Sequence, residues 1–231
     1  MNTHYTYFLI LAVSFAGPLA LSFDKKVAFY KKWKYLFPAM LLPAIFYIVW
    51  DSYFTKWGIW SFNDDYITGI KFWQLPLEEI LFFFVVPYCC VFIYECIRCY
   101  FPIIQHTRFA DVLLGTLAFC LLVTGIIFYE KDYTRYTFIL TSLALVFFLL
   151  GRKFFSNFNS KLFLISYTII LIPFFIVNGF LTAIPVVLYN NAENLGVRLY
   201  TIPMEDAFYG MLLIFLNVLI YEILRNRGQV Q

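Results

Sequence analysis

Charge is what this chain has least of. Only 13% of its 231 residues are Asp, Glu, Lys or Arg, there are two histidines, and 62% are apolar. Charge so dilute cannot clothe a water-facing surface, which excludes an ordinary soluble domain. Motifs of several enzyme classes are missing as well. No G-x-G-x-x-G occurs, so a flavin or nicotinamide site on a Rossmann unit has no support. G-x-S-x-G and H-E-x-x-H are also absent. Asp64-Asp65 is the only Asp-Asp pair, which counts against a magnesium-diphosphate enzyme needing two acidic clusters. The cysteines, Cys89, Cys90, Cys96, Cys99 and Cys120, are odd in number and lie in apolar sequence. Cys96 and Cys99 have C-x-x-C spacing, but no second pair or histidine cluster completes a metal site, so buried free thiols are expected and a metal is not. His4 and His106 fall in loops and suggest no catalysis.

What is present is hydrocarbon. A spanning helix needs roughly 20 mainly apolar residues because the bilayer core is about 30 Å thick. Seven such stretches are found, near Tyr5–Phe23, Tyr35–Phe54, Leu77–Phe101, Ala110–Tyr129, Arg135–Leu150, Leu162–Tyr189 and Pro203–Leu224. The expected fold is an all-α integral membrane protein. The first stretch lacks a basic leader and runs through Gly17 and Pro18 into a lysine-rich loop, so it reads as a helix rather than a cleaved signal peptide.

The basic residues occupy short loops instead of one face of a folded domain, so the net charge of +3 does not point to nucleic acid. On alternate loops one side carries twelve of them: Lys25, Lys26, Lys31, Lys32, Lys34, Arg98, Arg108, Arg152, Lys153, Lys161, Arg225 and Arg227. The other carries five: Lys56, Lys71, Lys131, Arg135 and Arg198. That asymmetry predicts a multi-pass protein of the cell (cytoplasmic) membrane with its N-terminus outside and its C-terminus in the cytoplasm.

Sliding the sequence on itself by 127 residues lays Phe62–Glu79 over Tyr189–Asp206, with Asn63/Asn190, Gly69/Gly196, Pro76/Pro203 and Glu78/Glu205 identical. Farther on, Ile93-Tyr94-Glu95 falls on Ile220-Tyr221-Glu222 and Arg98 on Arg225. The pattern predicts two parallel three-helix repeats, 1–109 and 130–231, joined by a linker helix at 110–129, with a pseudo-two-fold axis along the membrane normal. Such a repeat suits a solute carried between two halves, or a long molecule with two similar ends.

The candidate catalytic acids are Glu78 with Glu79 and Glu205 with Asp206, each pair two positions after a proline. Either copy alone is also an ordinary helix start, with Pro at the first position and acids in the first turn. Adjacent carboxyls at the edge of hydrocarbon repel one another and shun charge, which favours one retained proton and a general acid. The aromatic residues that follow, Phe82 and Phe83, Phe208 and Tyr209, could line a pocket and stabilise a cation by roughly 0.5–2 kcal/mol each. Asp51 near the end of the second stretch, Trp60, Asn63 and Asn190 complete the candidate substrate-binding set, although turn formation and a membrane-interface tryptophan belt account for the last three equally. Glu95 with Arg98 and Glu222 with Arg225 read as i,i+3 ion pairs.

Pro76-Leu77-Glu78-Glu79-Ile80-Leu81-Phe82-Phe83, preceded by Trp50-Asp51 and by Gly58-Ile59-Trp60-Ser61-Phe62-Asn63, resembles the membrane-embedded, flavin-independent lycopene cyclases. The second copy, Pro203-Met204-Glu205-Asp206-Ala207-Phe208-Tyr209, departs at the second acid and shifts the aromatic pair, and Asn178 stands where the first copy has Asp51. The resemblance covers nearly the whole chain in the fused two-repeat form. It implies an isomerase that protonates the end of lycopene or a related linear carotenoid and closes a ring, β being the commonest outcome, without redox change and with no cofactor required. It implies two similar sites for a substrate with two similar ends. The lipid bilayer, a second copy of the chain and other carotenoid-pathway enzymes are the expected partners. A transporter built from parallel three-helix repeats, and a carotenoid hydratase, are the rival readings.

Overall fold

In the computed structural model, which describes residues 3–228, the seven apolar stretches form seven helices joined by short loops. They are α1 (Thr6–Leu21), α2 (Trp33–Lys56), α3 (Leu77–Tyr100), α4 (Arg108–Ile127), α5 (Asp132–Leu150), α6 (Ser160–Ala183) and α7 (Glu205–Arg227). Each is long and apolar enough to cross a membrane, α1 together with the short turn Thr3–Tyr5 before it. A helix satisfies its own backbone polar groups, the requirement hydrocarbon imposes. Val13, Leu42 and Ile172 are 75%, 67% and 64% exposed, which in a water-soluble fold would be costly and on a lipid-facing surface is not.

Several helix ends differ from the sequence expectation by a few residues, two of them for a local reason. α5 starts three residues earlier, at Asp132, because the loop before α7 caps it: Asp132 N–H donates to Glu193 Oε2 (3.1 Å) and Tyr133 N–H to the Glu193 carbonyl (2.9 Å). α6 stops at Ala183 because Val187–Tyr189 is a strand.

That strand, β4, pairs antiparallel with β1 (Trp60–Phe62), placing Trp60 opposite Tyr189, Ser61 opposite Leu188 and Phe62 opposite Val187. The two strands stand 127 residues apart, so this register maps onto itself when they are exchanged, and a local two-fold axis passes beside Ser61 and Leu188. Each is followed by a small hairpin of the same form: β2 (Lys71–Phe72) with β3 (Leu75–Pro76), and β5 (Arg198–Leu199) with β6 (Ile202–Pro203). Before the hairpins Gly69 and Gly196 take φ of 82° and 75°. A side chain there strains the backbone. Gly69→Ala is therefore expected to lower stability by about 1–2 kcal/mol, read as a lower Tm of the detergent-solubilised protein.

The N-terminal ends of α1 and α5 gather at one face with the acid-bearing starts of α3 and α7. His4 Nδ1 donates to the Asp64 carbonyl there (3.1 Å). At the opposite face the expected i,i+3 pairs extend between helices. Glu95, fully buried, accepts from Lys32 (2.5 Å), Tyr221 (2.8 Å) and Arg98, and Arg98 also reaches Glu222 of α7 (2.6 Å). Arg98 thus stands between two buried carboxylates and ties α3 to α7, the arrangement a buried charge requires. α4 packs on α5, where the Ser142 hydroxyl donates to the Ala118 carbonyl (2.7 Å). All five cysteines are free, as expected, but only Cys90 is buried, and Cys120 is exposed on the surface of α4.

Candidate active site

α3 and α7 begin where the hairpins end. Pro76 and Pro203 supply a fixed φ and no N–H, which suits the entry to a helix. The acid pairs follow in the first turn, where the helix dipole favours negative charge. Successive helical residues point about 100° apart, so two adjacent acids cannot face the same way.

Glu78 and Glu205 turn toward the loops. Glu78 Oε1 accepts the Thr68 N–H (2.7 Å), and Glu205 Oε1 accepts the Leu195 N–H (2.7 Å) and the Thr134 hydroxyl (2.6 Å). Both are fully buried and both hold down the loop segment that leads into the hairpin, in positions 127 residues apart. Neither lines the cavity described next.

Glu79 and Asp206 turn inward and meet Asp51 of α2 at a single cavity. Glu79 Oε2 accepts the Tyr7 hydroxyl (2.6 Å), and Asp51 accepts the Tyr209 hydroxyl. Asp206 accepts three donors: Tyr133 (2.5 Å), Tyr189 (2.8 Å) and Asn178 Nδ2 (3.4 Å). Burial, and after it the Asp206 charge, holds the Tyr189 phenol far above its ordinary pKa, so it remains a donor. Trp60 and Phe62 of β1 and Val187 and Tyr189 of β4 form the wall on the loop side, and Phe82 and Tyr209 stand among the acids. Trp60 presents its ring edge-on to Tyr133 and Tyr209, with centroids 5.2 and 5.9 Å away. Among the described residues no Lys, Arg or His lines the cavity.

Of the residues singled out from sequence, Asp51, Trp60, Glu79, Phe82, Asp206 and Tyr209 are brought together, and six are not. Glu78 and Glu205 face the loops. Asn63 caps the turn Asp64–Tyr66 by accepting the Asp65 N–H (3.0 Å), and Asn190 accepts the Ala192 N–H (3.0 Å) and donates to the Gly58 carbonyl (3.2 Å). Phe83, one position past Phe82, points to α2 and packs on Tyr47 (5.4 Å between centroids). Phe208 packs on Phe138 (5.1 Å). The helical period explains the division: 79, 82 and 86 share one face of α3, and 206, 209 and 213 one face of α7. Where the resemblance implies two similar sites, Glu79 and Asp206, 127 residues apart, line the same cavity.

Sequence reasoning did not place Tyr7, Tyr133 and Tyr189, or Asn178, at the site. With 18 tyrosines in the chain and an interface belt to account for them, nothing local separates a carboxyl-binding phenol from an anchor.

A family model described as lycopene cyclase matches residues 4–97 and 130–224. The chain is 33% identical over 87 residues to a lycopene beta-cyclase of Halobacterium salinarum, 35% of each chain being covered. It is 40% identical over 47 residues to a bifunctional lycopene cyclase/phytoene synthase of Phaeosphaeria nodorum, and 46% over 41 residues to one of Pyrenophora tritici-repentis. These two alignments cover 20% and 18% of this chain but only 8% and 7% of those proteins. No solved structure matches significantly.

Proposed function

The chain belongs to the lycopene cyclase family, and on that premise we propose that it closes the linear end groups of lycopene or a related carotenoid into rings. The observation that carries the reading is one cavity in which three carboxyls from both repeats meet aromatic rings and no lining cation. Bare carboxylates in such a place are costly, and the neighbouring Asp51 and Glu79 are relieved by holding a proton between them. That proton goes to the terminal alkene and leaves a tertiary cation. The neighbouring alkene attacks it, forming the ring C–C bond and moving the charge onto the ring. Asp206, accepting three hydrogen bonds, takes up a different proton, whose C–H electrons become the ring double bond. One proton enters and one leaves, so the reaction is an isomerisation.

Trp60 and the tyrosines exclude water and turn aromatic faces and edges toward the cationic ring. β rings, with a monocyclic intermediate, are the expected product. Tyr133→Phe removes one donor from Asp206, and a hydrogen bond to a charged group is worth about 1.5–3 kcal/mol. A rate about ten-fold lower is expected, with KM little changed.

The decisive experiment is expression in a lycopene-accumulating bacterium with pigment analysis. Cyclic carotenoid is the expected product; unchanged lycopene with the protein present at normal levels rejects the function. A hydroxylated acyclic carotenoid would identify a hydratase instead. The same reading takes 1–109 and 130–231 as the repeats and 110–129 as the linker. It puts the acid-bearing face outside the cytoplasmic membrane, which reporter fusions to successive loops test. Association with a second copy or with other carotenoid enzymes belongs to it too, and is tested by the mass of the detergent-solubilised particle.

A further inference from the structure

An apolar groove leads out of the acid cavity toward the middle of the membrane. Phe82, Val86, Phe174 and Asn178 line both spaces, and the groove continues between α1, α3 and α6 past Pro18, Cys89, Ile93 and Val177. From Glu79 to Ile93 along α3 is roughly 20 Å at 1.5 Å per residue, most of the hydrocarbon thickness. No Asp, Glu, Lys, Arg or His lines it among the described residues. Even the backbone carbonyl that Pro18 frees, that of Ser14, is occupied, accepting from Cys89 Sγ (3.6 Å).

The repeat offset carries this groove to the other side of the pseudo-two-fold axis, between α5, α7 and α2, and there it is filled. Phe82 becomes Tyr209, Cys89 becomes Leu216 and Val177 becomes Trp50. Trp50 and Tyr47 are buried, with ring centroids 5.1 and 4.8 Å from that of Tyr209, and the Tyr47 hydroxyl donates to the Tyr209 carbonyl (2.8 Å). On the open side the counterpart of Tyr47 is Phe174, which has no hydroxyl to anchor. It lies against Gly210, where a Cβ would stand 2.9 Å from its ring; Gly210 replaces the Phe83 that braces Tyr47.

We propose that the α1/α3/α6 groove, and not its filled counterpart, holds the conjugated chain of the substrate while one end group lies among the acids. This rests on the cyclase reading and deepens it: the occupant is a stiff linear polyene, because the groove is long, uncharged and continuous with the reacting cavity. One groove on one cavity admits one end per visit, so a half-cyclised molecule must leave and return reversed.

Val177→Trp copies Trp50 into the open side, and Cys89→Phe fills it from α3. With purified protein and lycopene, initial rates in both variants are expected to fall at least about ten-fold. Leu143→Trp, on the lipid-facing surface of α5 and outside the groove, should stay within about two-fold of wild type. In the Glu79→Gln background, Val177→Trp should also abolish co-purification of lycopene, read by its absorbance. Wild-type rates in both groove variants overturn the proposal while leaving the cyclase reading intact. Absence of any ring product from the wild type overturns the cyclase reading itself. If Val177→Trp aggregates, Cys89→Phe, checked by monodisperse elution, decides.

Discussion

Glu79→Gln is expected to reduce cyclisation by roughly two to four orders of magnitude, the usual contribution of a positioned general acid. The carboxamide fills nearly the same space and can still accept the Tyr7 hydroxyl, so the loss reports the missing proton rather than a collapsed wall. Glu78→Gln is the matched control one residue away. Its oxygen can still accept the Thr68 N–H, and it faces the loop, so most of the activity should remain. Equal losses in the two variants would mean that the pair acts as a unit, contrary to the geometry. The readout is the initial rate of lycopene consumption by purified protein, normalised to folded material.

Asp206→Asn is expected to cost about a hundred-fold or more, for a different reason. Tyr133, Tyr189 and Asn178 aim three donors at this side chain, a setting built for an oxygen-rich acceptor. A carboxamide offers one oxygen to those donors and cannot take up the proton that the cation must lose. Rings that still form would lose their proton elsewhere, so the residual product should show a changed ratio of ring double-bond isomers. An unaltered rate with an unaltered isomer would move the base to Asp51, the third carboxyl on the cavity.

The positions that are identical between the repeats turn out to be scaffold. Gly69 and Gly196 serve a left-handed backbone, Glu78 and Glu205 clamp a loop, and Pro76 and Pro203 start a helix, while Asn63 and Asn190 each accept from an N–H two residues on. Both copies need the same backbone, so these residues agree. Most positions around the cavity disagree: Glu79 with Asp206, Asp51 with Asn178, Phe82 with Tyr209, Tyr7 with Thr134. A site close to a two-fold axis uses each half once, and nothing requires the halves to match there. Shared identities at fixed offset therefore located the helix starts and left open which acid of each pair faces the cavity.

The seven spans were legible because hydrocarbon tolerates few charges and sets a length. The face that each helix turns inward was not, since side chains are apolar all around most of these helices and leave no strong periodic signal. Glu79, Asp206 and Asp51 are the acids that break that uniformity on the cavity side, and which way they point depends on register. The strand Val187–Tyr189, read as the end of a helix, was hidden because a short apolar run fits either structure.

The most direct test of a single site assembled from both repeats is the set of initial rates for wild type, Glu79→Gln, Asp206→Asn and the double variant. One shared cavity requires each single change to remove nearly all activity and the double change to be scarcely worse than either, as for residues that act as a unit. Two independent sites would leave about half the rate in each single variant and none in the double, and that result would contradict the shared cavity.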